Sequence, residues 1–176
     1  MDQGRARTLI RLALALAALA GCATAGGAST EGGRQVGAPA PEIRVDSLGG
    51  KPIALADYRG KVVLLDVWAS WCGPCKQELP MLDDMAKRLR GEGVEVLAVS
   101  IDQERANLMH FLEARPRWAL TIAHDPRGAI ADRLGPDKMP TSYIIDRQGV
   151  IRYVNSGFEP ADAAVIERRL SEVARR

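Results

Sequence analysis

The chain has 176 residues, 47% of them hydrophobic and 26% charged, which is enough apolar material for the core of one globular domain. Its 24 Lys and Arg nearly balance 22 Asp and Glu, and there is no basic tract. That balance removes the electrostatic reason to expect nucleic-acid binding.

Arg5, Arg7 and Arg11 precede an apolar run, Leu12 to Ala20, that ends at Gly21-Cys22, the layout of an export signal over residues 1–21. Nine apolar residues at ~1.5 Å each reach roughly half of a ~30 Å hydrocarbon core, so a permanent span is not expected. Leu19-Ala20-Gly21-Cys22 resembles the bacterial lipobox, which makes Cys22 a lipidated first residue of the mature chain; ordinary cleavage nearby, leaving Cys22 a free thiol, is the alternative. Two or three acyl chains would hold the protein stably on a membrane surface. Ala23, where an Asp is absent, resembles lipoproteins sent on to an outer membrane. Loss of residues 1–21 removes three Arg and one Asp and leaves 21 basic and 21 acidic side chains, a neutral mature chain. Residues 22–35, rich in Gly, Ala, Ser and Thr, read as a flexible tether from Cys22. Residues 36–176 read as the folded domain.

Within that domain, Glu42–Val45 and Pro52–Leu55 flank a Gly49-Gly50 turn and predict a hairpin, and residues 56–61 predict a turn. The run Val62–Val67 is apolar except at Asp66 and suits a central strand buried on both faces. Leu79, Leu82, Met85, Ala86 and Leu89 mark one face of a helix that starts at the Cys72-Gly73-Pro74-Cys75 stretch and ends near Gly91, with Pro80 expected to kink it. A second buried strand over 93–101, a helix over 104–114, a short strand over 120–123 and a short helix over 128–134 follow. Ser142–Ile145 and Val150–Val154 predict two antiparallel strands joined by a turn at Gly149, and residues 159–176 an amphipathic closing helix. The alternation of strands and helices predicts an α/β fold with a central mixed sheet flanked by helices.

The chemistry centres on Trp71-Cys72-Gly73-Pro74-Cys75. Disulfide exchange needs a thiolate, so one Cys must be partly ionised and exposed, and Cys72 at the start of a helix meets unpaired amides and the positive end of the dipole, which lower a thiol pKa. Pro74 fits the first helical turn, and Cys75, one turn in, is expected to be the less exposed, resolving thiol. With Cys22 lipidated, 72–75 is the only internal disulfide the mature chain can form. A zinc half-site is the metal reading of the same pair, but there is no second Cys pair and His110 and His124 lack zinc spacing. A small structural staple is the other alternative, although so short a loop constrains the unfolded chain little. Asp66 is costly inside an apolar strand unless its surroundings are arranged for it, and a buried carboxyl with a raised pKa moves protons near neutral pH; we expect it beneath Cys75. Glu78 stands three residues after Cys75 and reads either as a second proton carrier on the same helix side or as a solvated surface charge.

Asp66 to Lys76, with Pro80 and with Met139-Pro140-Thr141 ahead of a strand, resembles the thioredoxin superfamily over about residues 36–174. The hairpin, the Cys75–Pro80 run and the extra helical segment 104–118 are similar to its TlpA/ResA-like membrane-anchored branch. The resemblance implies a thioredoxin fold with Cys72 as nucleophile, Cys75 as resolving thiol and Pro140 as a cis-proline beside the pair. It implies that Met139 pairs with a substrate segment, in a substrate-binding surface of Trp71, Gly73, Pro74, Met139 and Thr141. Asp66 matches the buried Asp of cytoplasmic thioredoxins and Glu78 an acid used by some TlpA-like proteins, so this chain carries both carboxylates. Gly73-Pro74 departs from the Glu-Pro of some cytochrome-maturation members. The expectation is a monomeric protein-disulfide reductase with no cofactor beyond its own Cys72–Cys75 pair. It would be lipid-anchored outside the cytoplasmic membrane, act on protein disulfides, for example in cytochrome c maturation, and be kept reduced by a transmembrane electron donor. The rivals are a thiol peroxidase, since the layout from Ala38 to Lys61 also resembles peroxiredoxins, a Cu(I) chaperone using His124, and a non-catalytic interaction module.

Overall fold

The computed structural model describes residues 36–114 and 117–176. The predicted signal, Cys22 and the tether lie outside the described residues.

Seven strands and four α-helices follow one another among the described residues: β1 (Arg44–Ser47), β2 (Pro52–Ala54), β3 (Val62–Trp68), α1 (Gly73–Leu89), β4 (Val94–Ser100), α2 (Arg105–Glu113), β5 (Thr121–His124), α3 (Ala129–Leu134), β6 (Thr141–Ile145), β7 (Ile151–Ser156) and α4 (Asp162–Ala174). They form one mixed sheet in the order β2-β1-β5-β4-β3-β6-β7, parallel from β3 through β4 to β5 and antiparallel elsewhere. This is the thioredoxin fold, with two additions. The N-terminal hairpin does not stand apart but pairs through Asp46 and Ser47 with His124 and Ala123 of β5, extending the sheet at that edge. The inserted helix α2 lays Phe111 against Trp68, with ring centroids 5.3 Å apart.

The segment after β2, read as a turn, is a short 3-10 helix over Leu55–Tyr58 that buries Leu55. Helix α1 continues on both sides of Pro80.

Strand β3 is buried at all seven positions. Side-chain alternation divides them: Val62, Leu64 and Trp68 join the core beneath α1, α2 and α4, whereas Val63, Leu65 and Val67 join the core on the α3 side. Asp66 falls on the α1 side by the same period of two. Each in-register partner shares its face, so Ser142 of β6 and Ala98 of β4, directly opposite Asp66, point the same way.

Candidate redox site

Strand β3 ends at Trp68, the chain turns through Ala69–Trp71, and α1 begins at Gly73 with Cys72 as its N-cap. Cys72 and Cys75 are joined by a disulfide, with S–S 1.99 Å and Cα atoms 5.3 Å apart. The backbone N–H of Cys75 donates to Cys72 Sγ at 3.2 Å, so a first-turn amide is aimed at the sulfur, and negative charge at that sulfur is favoured. Trp71, Gly73 and Pro74 are exposed around it.

The exposure expected of Cys72 is largely missing. Cys72 is only 6% exposed and Cys75 1%, because both pack into the α1-side core, so the order of the two holds but the sulfur offers a narrow line of approach. Trp71, 64% exposed, is the large side chain flanking that approach.

The Met139–Pro140 peptide bond is cis, as the resemblance implied. Thr141 faces Val67 in the antiparallel β3–β6 pair, so one further step along the register carries Pro140 to Trp68, at the mouth of the cysteine loop. The Pro140 carbonyl accepts Gly157 N–H at 2.8 Å, and Thr141 Oγ1 donates to Lys138 O at 2.6 Å. Pro140 and Thr141 are buried, while Met139 is half-buried and contributes to both cores.

On the α1 side of β3, two carboxyls share one hydroxyl. Ser142 Oγ lies 3.2 Å from Asp66 Oδ1 and 2.9 Å from Glu78 Oε1, and all three residues are buried. Glu78 is therefore not the solvated charge of the alternative reading. It sits on the face of α1 that buries Cys75, one turn beyond it. Burial, and then the charge of Glu78, push the Asp66 carboxyl well above the ordinary carboxylate range. Burial pushes Glu78 up to about 7; the Ser142 hydrogen bond works against that and the charge of Asp162 adds to it. Both shifts run in the same direction, so the pair as a unit favours holding a proton where an exposed carboxyl would have lost it.

Two participants escaped the sequence. Ser142 read only as the start of an apolar strand; its signal was a hydroxyl on the same face of β6 as Ile144. Asp102, 1% exposed, accepts from Ser70 N at 2.9 Å, Ser70 Oγ at 2.6 Å and Ser100 Oγ at 2.7 Å. It clamps the turn that carries Trp71 and Cys72 to the end of β4. An acid directly after a buried strand, two residues from a buried Ser, was the available clue. Beside it a cleft of about 460 Å³ runs from Trp71 past Asp102 and Asn107 to Arg127. His124, the third ligand of the copper reading, has Nε2 at 2.7 Å from the Asp102 carbonyl. Among the described residues, no three His, Cys, Asp or Glu side chains are grouped to hold a metal ion, and no helix is long and apolar enough to cross a membrane.

Comparison with known proteins gives a consistent result. Residues 36–154 match the AhpC/TSA family. The thiol-disulfide oxidoreductase ResA of Geobacillus thermodenitrificans is 34% identical over 124 residues, 69% of this chain and 70% of that protein. ResA of Geobacillus kaustophilus is 31% identical over 78% of each chain. Among solved structures, a candidate thiol:disulfide interchange protein DsbE from Chlorobium tepidum superposes with a TM-score of 0.76 at 36% identity, covering 80% of this chain and 99% of that one. The exposed lipoprotein thioredoxin of Streptococcus pneumoniae follows at a TM-score of 0.64 and 31% identity, covering 75% and 99%.

Proposed function

Because the chain belongs to the AhpC/TSA family of the thioredoxin superfamily and is a thiol-disulfide oxidoreductase, we propose that it reduces protein disulfides from a lipid anchor outside the cytoplasmic membrane. The observation that carries the reading is the Cys75 amide aimed at Cys72 Sγ at the head of α1.

In this mechanism the Cys72 thiolate attacks a substrate disulfide, forming a mixed disulfide and releasing one substrate sulfur as a thiolate. Cys75 then gives its proton to the carboxyl pair behind it, and its thiolate attacks Cys72 Sγ. The Cys72–Cys75 bond forms, the bond to the substrate breaks, and the second substrate sulfur leaves with the electron pair. Two electrons have moved to the substrate, and the protein is left with the disulfide seen at 1.99 Å. Trp71, Gly73, Pro74 and the half-buried Met139 form the surface that receives the substrate segment, with Pro140 fixing the loop beside the pair; Thr141, expected on that surface, is instead 1% exposed with its hydroxyl held by Lys138 O, so it supports the loop from beneath.

Cys22 in Leu19-Ala20-Gly21-Cys22 supplies the anchor, residues 22–35 the reach, and a transmembrane electron donor the electrons. The S. pneumoniae relative is an exposed lipoprotein, which supports that placement. Cytochrome c maturation is one setting for such a reductant. The family match also favours a second reading, a thiol peroxidase, although Ser70-Trp71-Cys72 lacks the Thr-x-x-Cys setting of peroxidase nucleophiles.

Cys72→Ser should abolish dithiol-dependent disulfide reduction, and Cys75→Ser should accumulate mixed disulfides at Cys72. Retained turnover in Cys72→Ser would contradict the mechanism, and stopped-flow peroxide consumption faster than disulfide reduction would select the peroxidase.

A further inference from the structure

Ser142 has one proton to donate, yet its oxygen is in hydrogen-bond range of two carboxyl oxygens, Asp66 Oδ1 at 3.2 Å and Glu78 Oε1 at 2.9 Å. With both carboxyls ionised, one of those contacts sets lone pair against lone pair in a buried site. With exactly one proton on the pair, both are satisfied: the protonated carboxyl donates to Ser142 Oγ, and Ser142 donates to the carboxylate. The second oxygens, Asp66 Oδ2 and Glu78 Oε2, are buried and have no hydrogen-bond partner among the described residues, so this hydroxyl is the one side-chain donor the pair shares.

We propose that Ser142 is a positioning residue that joins Asp66 and Glu78 into a one-proton relay, so that two carboxyls from different elements act on Cys75 as a single base. The inference rests on the exchange mechanism above and deepens it. The relay step is balanced: the Asp66 O–H bond breaks as its proton passes to Ser142 Oγ, and the Ser142 O–H bond breaks as its proton passes to Glu78. Two O–H bonds are lost, two are made, and the net charge of the cluster is unchanged. When Cys75 is deprotonated, its S–H proton becomes the second proton on the pair.

The groups facing this cluster are few. Helix α1 brings Glu78, one turn after the buried Cys75, and α4 brings Asp162, whose charge bears on Glu78. Strand β4 brings the uncharged Ala98 opposite Asp66. Strand β7 brings Asn155 opposite Ser142, and Asn155 Oδ1 accepts from Arg169 of α4 at 2.6 Å. None of these puts another hydroxyl or ammonium donor between the two carboxyls.

A shared hydroxyl stabilises the one-proton state against both neighbours, so it widens the pH interval over which the pair holds one proton. Carbon-13 NMR titration of the Asp66 and Glu78 carboxyl carbons in the oxidised protein reads that interval without any turnover. Ser142→Ala should narrow the separation between the two titration midpoints by about one pH unit, and Ser142→Thr, which keeps a hydroxyl, should restore it. In parallel, Ser142→Ala should slow release of a preformed mixed disulfide about tenfold at pH 7 while leaving attack by Cys72 unchanged. An unchanged midpoint separation in Ser142→Ala, with or without a slower release, overturns the relay, and so does a failure of Ser142→Thr to restore it. Failure of the wild-type protein to form mixed disulfides would instead strike the exchange mechanism, leaving the NMR result to judge the relay.

Discussion

Helix α1 buries two carboxyls, Glu78 at 1% and Asp83 at 0% exposure, and the fold treats them in opposite ways. Asp83 is met by donors on every side: Lys87 Nζ at 2.8 Å, the amide of Leu120 at 3.3 Å and the amide of Ala119. Burial pushes its pKa up, but Lys87 and those two amides outweigh burial and hold it below the ordinary value. Glu78 has one hydroxyl, shared with Asp66, and burial wins. One helix thus carries a structural acid that ties α1 to the segment entering β5 and, one turn after Cys75, an acid left to gain and lose a proton. Burial alone does not separate them; the supply of donors does.

The largest effect should come from the satisfied acid. Asp83→Ala leaves the Ala119 and Leu120 amides and the Lys87 ammonium without their acceptor, and should cost about 2–4 kcal/mol in urea unfolding at pH 7. Disulfide reduction at 25 °C should be retained, because Asp83 lies away from the cysteines along α1. A loss of activity without a loss of stability would erase the distinction between the two acids.

Glu78→Gln should go the other way. A carboxyl whose folded pKa is raised favours the folded state fully below its unfolded value, and that advantage is lost as pH rises through the folded value. The wild type should therefore lose stability between about pH 4.5 and pH 7 on account of Glu78, and the Gln variant should not. The variant should gain on the order of 1–3 kcal/mol relative to wild type between pH 4 and pH 8, read by thermal or urea unfolding at both pH values. Asp83, with its lowered pKa, contributes in the opposite sense: its stabilisation is present above about pH 4 and disappears as pH falls below that. A parallel pH profile for Glu78→Gln and wild type would remove the electrostatic difference on which the comparison rests.

The sequence made some of this legible because the relevant signals are local. The run Val62–Val67, apolar but for Asp66, announces a strand buried on both faces, and Cys72 ahead of Gly73-Pro74-Cys75 announces a helix start. Asp66 stood out because an acid in such a run has to be explained. Glu78 was ambiguous, since helical spacing gives its side of the helix but not what covers that side; β6 and α4 do that, and they arrive more than sixty residues later. Ser142 and Asp102 were silent for the same reason, as their partners lie 76 and 32 residues away along the chain. The burial of Cys72 was missed because exposure was inferred from the chemistry, whereas packing into the α1-side core decided it.

The central claim, that the buried pair serves Cys75, is tested most directly by the rate at which a preformed Cys72 mixed disulfide resolves, followed from pH 5 to pH 9. The account predicts a rate that rises through about pH 7 in the wild type, and a rate at least about tenfold lower with the midpoint displaced in Glu78→Gln. Identical rates and identical midpoints in the two proteins would contradict it.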